Sequence, residues 1–237
     1  MNFQCKKSIY DYKYCVAFDL AKYETGVAII DVQQDKLMSY YQISVSSKSE
    51  SPVLDLYNKI SLLFDYIQNS ESSLKITNLQ KDVFVLREMM PQQSKFSTIA
   101  TLQGLAKAHA VLDLIVDQLG LDYYGPGIHS VSVKALFKKL TGVEHPEKLD
   151  IQQWVSLHYG YHVVPKNMTL DISDAAALWI TLFMKKEKYD LEEEIRALKK
   201  KDKTLKAASA KQKVLTQIES LQNIIERSEL YATRCSK

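Results

Sequence analysis

The chain has 237 residues, of which 46% are hydrophobic and 25% charged, with a formal net charge of +3. That length suits one large domain or one domain with an appendage, and that composition excludes a disordered or fibrous chain. No uninterrupted apolar run approaches the ~20 residues of a membrane helix, and the first residues lack the apolar core of a signal peptide, so no membrane partner is expected.

The first elements are strands. Cys15 to Leu20 is apolar except for Asp19, and Gly26 opens a second apolar run, Val27 to Ile30. DKLMSYYQISVS has the β-rich composition of a third strand, and the short connections make the three an antiparallel meander. Ser51–Pro52 starts a helix, with Leu54, Tyr57, Ile60, Leu63 and Phe64 at helical spacing. Asp82 to Met90 is a fourth strand, nearly continuous in apolar residues and so buried on both faces. A long helix follows, capped by Ser97 or Thr98 and ended near Gly120, with Gly104 inside it as a point of close approach. A short fifth strand is expected at Leu121 to Tyr124, then helices at Val131–Leu140 and Glu147–His158. An extended piece, YHVVP, precedes a helix that opens with DISDAAALW. Strands followed by alternating helices and strands predict a mixed α/β layer fold.

The texture changes after Met184. Residues 185–237 hold 14 Lys/Arg against 9 Asp/Glu, whereas residues 1–184 hold 17 against 19. The tail lacks Gly and Pro, and its apolar residues step by three and four from Leu191 to Ile225, which predicts one long helix or a hairpin broken near Ala207–Ser209. The expected division is therefore a body, 1–184, and a basic helical or coiled-coil extension, 185–237. The three cysteines, Cys5, Cys15 and Cys235, show neither zinc spacing nor an even disulfide count, and Cys15 reads as a buried small hydrophobe. Trp154 and Trp179 read as core residues. No glycine-rich phosphate loop is present, so no nucleotide cofactor is expected.

Four acids stand out. Asp19 lies inside an apolar strand, Glu88 ends another, and Asp171 and Asp174 lie three apart at the start of a helix, hence on one face. Each has a bland explanation alone: a hydrogen-bonded structural acid, a strand end reaching solvent, or a helix cap with a first-turn acid. Together, at the edge of one core, they would repel and raise each other's pKa. Divalent cations remove that conflict. Mg²⁺ prefers a few carboxylate oxygens plus water and phosphate oxygens, and two such ions roughly 4 Å apart can activate a water and stabilise a leaving oxygen.

The order of Asp in VAFDLAKYETG, Glu in VFVLREMM and Asp-x-x-Asp in LDISDAAALW resembles the RuvC family of Holliday-junction resolvases, within the ribonuclease H-like superfamily. The likeness covers about residues 14–184, including TLQGLAKAHAVL and VKALFKKLTG…EKLDIQQWV. It implies a ribonuclease H-like mixed five-stranded sheet flanked by helices, with Asp19, Glu88, Asp171 and Asp174 as ligands of Mg²⁺ or Mn²⁺, two ions per site. It implies that Lys134 and Lys148 lie near the scissile phosphate, where an amine neutralises developing charge. It also implies cutting of branched DNA by a homodimer, because paired cuts need two sites. The family's glycine two residues after the first Asp is Ala21 here, and its aromatic after the Glu is replaced by Met89 and Met90. Outside the likeness, Arg196, Lys199, Lys200 and Lys203 on the tail can meet DNA phosphates, or the tail's apolar stripe can pair two subunits. The expected location is the cytoplasm or nucleoid, or a host's cytoplasm for a phage-type member. The rival readings are a non-catalytic DNA-binding or assembly protein of the same fold, and an actin-like or sugar-kinase-like ATPase.

Overall fold

The structure, a computed structural model, describes residues 8–69, 74, 76–90, 98–125, 127–160 and 168–204, and positions 212, 215, 216, 218, 219 and 222. After a single 3₁₀ turn, Ile9–Asp11, the chain enters β1 (Tyr14–Asp19), β2 (Glu24–Asp31) and β3 (Lys36–Ser44), an antiparallel meander as expected. Helix α1 (Pro52–Gln68) follows, then the one-turn α2 (Leu79–Asp82) and β4 (Val83–Arg87), which pairs parallel to β1. Helix α3 (Ile99–Leu119) leads to β5 (Asp122–Tyr123), parallel to β4. Helices α4 (Ser130–Thr141), α5 (Lys148–Tyr159) and α6 (Leu170–Thr204) complete the described elements. The sheet order is β3-β2-β1-β4-β5.

Side chains alternate across a strand, and here the alternation divides two cores. Cys15 and Ala17 of β1, with Phe84 and Leu86 of β4, pack under α4, α5 and α6. Tyr14, Val16 and Phe18, with Val83 and Val85, pack under α1 and α3. Every residue of β4 is buried, as its apolar run predicts. Trp154, Trp179 and Cys15 are core residues.

Several boundaries differ from expectation for local reasons. The fourth strand is shorter than Asp82 to Met90, because Asp82 belongs to α2 and its carboxylate accepts the backbone N–H groups of Thr77 and Asn78. Glu88 continues β4 only as an isolated bridge to Ile128. The fifth strand keeps two of its four expected residues. Thr98 caps α3 by accepting the N–H of Thr101. Asp171 is not the cap of the last helix: Thr169 is, its hydroxyl accepting the N–H of Ile172. Gly104 admits the side chain of Lys22 rather than a neighbouring backbone.

Helix α6 runs through the change of composition at 184 without a break, so the helix that starts in the body carries the beginning of the basic segment. The break expected near 207–209, the extended piece at 161–165, Cys5 and Cys235 lie outside the described residues, as do the side chains of Arg196, Lys200 and Lys203. Lys199 is exposed. No uninterrupted apolar run of membrane length occurs in α3, which Lys107, Asp113 and Asp117 interrupt, but the helix is 21 residues long and its most apolar 18-residue window has a mean hydropathy of 1.4, enough by length and composition to cross a membrane. Its apolar side is taken up by the core, where Ala108, Val111, Leu112, Ile115 and Val116 are buried against β1, β4 and α1.

Candidate metal centre and cleft

The acids converge because strand parity and one glycine bring them together. Asp19 ends β1 on the face shared with Cys15 and Ala17, and Glu88 follows Phe84 and Leu86 on the corresponding face of the β4 line. The backbone ties them side by side, the Glu88 N–H donating to the Phe18 carbonyl at 3.1 Å. Asp19 pairs across the ladder with Gly26, and Gly26 with Gln42. A Cβ on Gly26 would lie 2.1 Å from the Asp171 carbonyl oxygen and 2.5 Å from the Ile172 nitrogen. Only the bare backbone of glycine lets the first turn of α6 lie directly on β2. That contact delivers Asp171 and Asp174 to the end of β1.

Ligand oxygens of Asp19, Asp171 and Asp174 lie within 4.8 Å of one another, a grouping that can hold a metal ion. Glu88 is outside that trio but lines the same cleft, of about 220 Å³, with Asp19, Ser130, Lys134, Lys148 and Asp174. Its carboxylate stands close enough to Asp19 to raise that residue's pKa. Of the ten side chains singled out in the sequence, six therefore meet here: four acids and two lysines.

The electrostatics follow from burial and crowding. Burial, then the charges of Glu88 and Asp174, push the Asp19 carboxyl up to about 9. A carboxyl raised that far favours its protonated form at neutral pH in the metal-free protein. Asp174 is also raised, burial being the main cause and Lys148 the main opposition. Lys148 Nζ lies 3.0 Å from Asp171 Oδ1 and 3.0 Å from Asp174 Oδ2, bridging the pair. Burial works against its charge, but these two carboxylates raise its pKa above the usual lysine value. An ammonium therefore supplies the compensation that the Asp-x-x-Asp pair requires, while Asp19 has none of comparable strength. An acidic, oxygen-rich donor set with a proton in place of a second cation suits a hard divalent ion.

Sequence reasoning did not single out Gln42 or Thr169. The Gln42 amide donates to Asp171 Oδ2 at 3.4 Å, and the Thr169 hydroxyl donates to Gln42 Oε1 at 2.5 Å, so β3 steadies the Asp171 carboxylate. A Gln in a strand has no spacing signature; only its register opposite Gly26 reveals it. Arg87 was also missed. It precedes Glu88, pairs with Asp113 of α3 at 2.6 Å and lies over the Tyr123 ring, anchoring the end of β4.

No protein-family model matches the chain, and no curated protein matches it. Solved structures do. The T. thermophilus RuvC described in complex with Holliday junction substrate superposes with a TM-score of 0.53, at 14% identity, over 72% of this chain and 92% of that one. A second Thermus thermophilus RuvC structure gives 0.51, also at 14% identity, over 71% and 92%. The fold is RuvC-like: a ribonuclease H-type mixed sheet flanked by helices, here with a helical extension at the C-terminal side.

Proposed function

We propose that this chain is a divalent-metal-dependent nuclease acting on branched DNA, and that it resolves four-way junctions as a homodimer. One observation carries the reading. Carboxylates separated by about 150 positions in sequence meet in one cleft, on a fold like that of a protein described with a Holliday junction substrate. Asp19, Asp171 and Asp174, with Glu88 beside them, would hold Mg²⁺ or Mn²⁺, two ions at full occupancy. Such ions supply Lewis acidity toward phosphodiester oxygens.

The chain's own groups account for the rest. Lys134, on the α4 wall of the cleft, offers an amine to the phosphate being cut. Lys148 bridges Asp171 and Asp174 at 3.0 Å, and with a cation held by that pair its ammonium would be free to meet the same phosphate. Buried Leu178 and Ile151 floor the cleft and keep its dielectric low. Arg196, Lys199, Lys200 and Lys203, spaced at helical intervals in the basic segment, would follow DNA phosphates beyond the cut.

The test is cleavage of a synthetic four-way junction against linear duplex, with and without Mg²⁺. The wild type should nick opposing strands of the junction in a metal-dependent reaction. Asp19→Asn and Glu88→Gln should lose cutting while still binding the junction in Ca²⁺. Normal cutting by either variant would sink the assignment; binding without any cutting by the wild type would leave a non-catalytic DNA-binding protein; ATP turnover would point to the kinase-like alternative.

A further inference from the structure

A second concavity, of about 290 Å³, opens at the same end of the sheet as the acid cleft but on its other face. Lys22 of the β1–β2 turn, Val53 and Leu56 of α1, and Gln103, Gly104 and Lys107 of α3 line it. No carboxylate is among its described lining residues, and Lys22, Gln103 and Lys107 are exposed. Gln103 and Lys107 are four apart on α3 and so face the same way.

Lys22 is exposed, yet it makes two contacts along its length. A Cβ on Gly104 would lie 2.8, 3.0 and 3.3 Å from Cδ, Cγ and Cβ of Lys22, so the lysine stem lies on helix backbone that only glycine leaves bare. Its ammonium stands 4.5 Å from the centroid of the Tyr23 ring. A glycine inside a helix is destabilising relative to alanine, and fixing a lysine costs rotamer entropy. Both costs go toward presenting one ammonium three residues beyond Asp19. Two amines and an amide around an acid-free hollow, with an apolar wall at Val53 and Leu56, match a phosphate with its attached sugar.

Resting on the nuclease reading above, we propose that this pocket binds a backbone phosphate of the DNA strand that crosses the β1–β2 turn into the acid cleft. Lys22 and Lys107 are the cationic ligands, Gln103 is a neutral donor, and Val53 meets the sugar. The pocket is thus a positioning site that sets how far the strand enters.

Junction binding by the full chain in Ca²⁺, measured against salt concentration, tests this. Lys22→Ala and Lys107→Ala should each reduce the slope of log affinity against log salt by about 1, and weaken binding about fivefold near physiological salt. Lys36→Gln, at the far end of the sheet, removes one charge and should leave the slope unchanged. Gly104→Ala is the sharpest variant. It removes no charge and favours the helix, so its melting temperature should rise, yet its methyl displaces the Lys22 stem and should weaken binding. In a Lys22→Ala background it should add nothing. Unbranched oligothymidylate should perturb the Lys22 and Lys107 side-chain amine resonances, and inorganic phosphate at the same concentration should not. Unchanged slopes in both lysine variants, an equal change in Lys36→Gln, wild-type binding by a stabilised Gly104→Ala, or tighter binding of free phosphate than of oligothymidylate would each overturn the pocket. Unchanged slopes in a protein that stops cutting with Asp19→Asn reject the pocket alone; an Asp19→Asn variant that cuts normally rejects the nuclease reading instead.

Discussion

Asp19 and Asp35 lie at opposite ends of the same sheet, and helix α6 serves both. Asp35 sits in the β2–β3 turn, with φ +45°. Its Oδ1 accepts the Trp179 indole N–H at 2.7 Å, and its Oδ2 stands 2.7 Å from His158 Nε2. Each oxygen has a donor, and the result is a clamp joining the hairpin to α5 and α6. Asp19 meets other carboxylates instead and is driven up to about 9 by burial and by Glu88 and Asp174. The acid that braces the fold is given donors; the acid proposed to hold a metal is crowded with its own kind. Burial alone does not separate the two, because both aspartates are partly enclosed.

The contrast breaks most visibly in activity. Asp19→Asn should reduce junction cutting by roughly 10²–10³-fold or more, the scale of losing a charge-stabilising group at a reacting centre. Asp35→Asn should leave the cutting rate per folded molecule nearly unchanged. Comparable losses in the two variants, measured in single turnover, would erase the distinction.

Gly26→Ala tests the contact that builds the cleft. The new methyl meets backbone of α6 that cannot swing aside. The expected cost is about 3 kcal/mol of stability, with loss of cutting, measured by denaturant unfolding and the junction assay. A stable, active Gly26→Ala protein would mean that α6 does not rest on β2 as described.

The two aspartates also predict opposite responses to truncation. Asp35→Ala leaves the Trp179 and His158 donors unpaired and should destabilise by about 1–3 kcal/mol. Trp179→Phe removes one of those bonds along with part of the ring and should cost about 1–2 kcal/mol. Asp19→Asn should do the reverse in metal-free protein. Asp19 has a folded pKa of about 9, above its unfolded value, so the folded state binds a proton that the unfolded state has released. Stability therefore falls as pH rises between about 4 and about 9, and Asn removes that loss. Thermal unfolding at pH 6 and pH 8 without metal should show the wild type, and not Asp19→Asn, losing stability. Added Mg²⁺ or Mn²⁺ should stabilise the wild type more at pH 8, where its binding displaces fewer protons. A wild type with the same stability at both pH values would contradict the raised Asp19 carboxyl.

Much of this was legible in the residues. Apolar periodicity marked β1, β2, β3, α1, α3 and α6, because burial of one face or of both writes itself into spacing. The acids were conspicuous for the same reason: Asp19 and Glu88 interrupt or end apolar strands, and Asp171 and Asp174 share a helical face. What spacing could not reveal was company. Lys148 reads as a residue in the first turn of a helix, yet its ammonium bridges two carboxylates 23 and 26 positions away. Gln42 reads as an ordinary strand residue and Asp35 as the first residue of the third strand, yet one steadies Asp171 and the other, in the turn before β3, clamps Trp179. Thr169, not Asp171, caps α6, since either residue type can serve and only backbone geometry chooses.

The sequence by itself determined the layers: which segments form strands, which form helices, and which acids stand against an apolar background, because those features depend on neighbours within a few residues. Tertiary structure alone decided that Gly26 lets α6 onto the sheet, that Asp19 shares a cleft with Asp171 and Asp174, and that Gly104 seats Lys22. These are contacts between remote segments, governed by register and by the space a missing Cβ leaves, and neither quantity is encoded in local spacing.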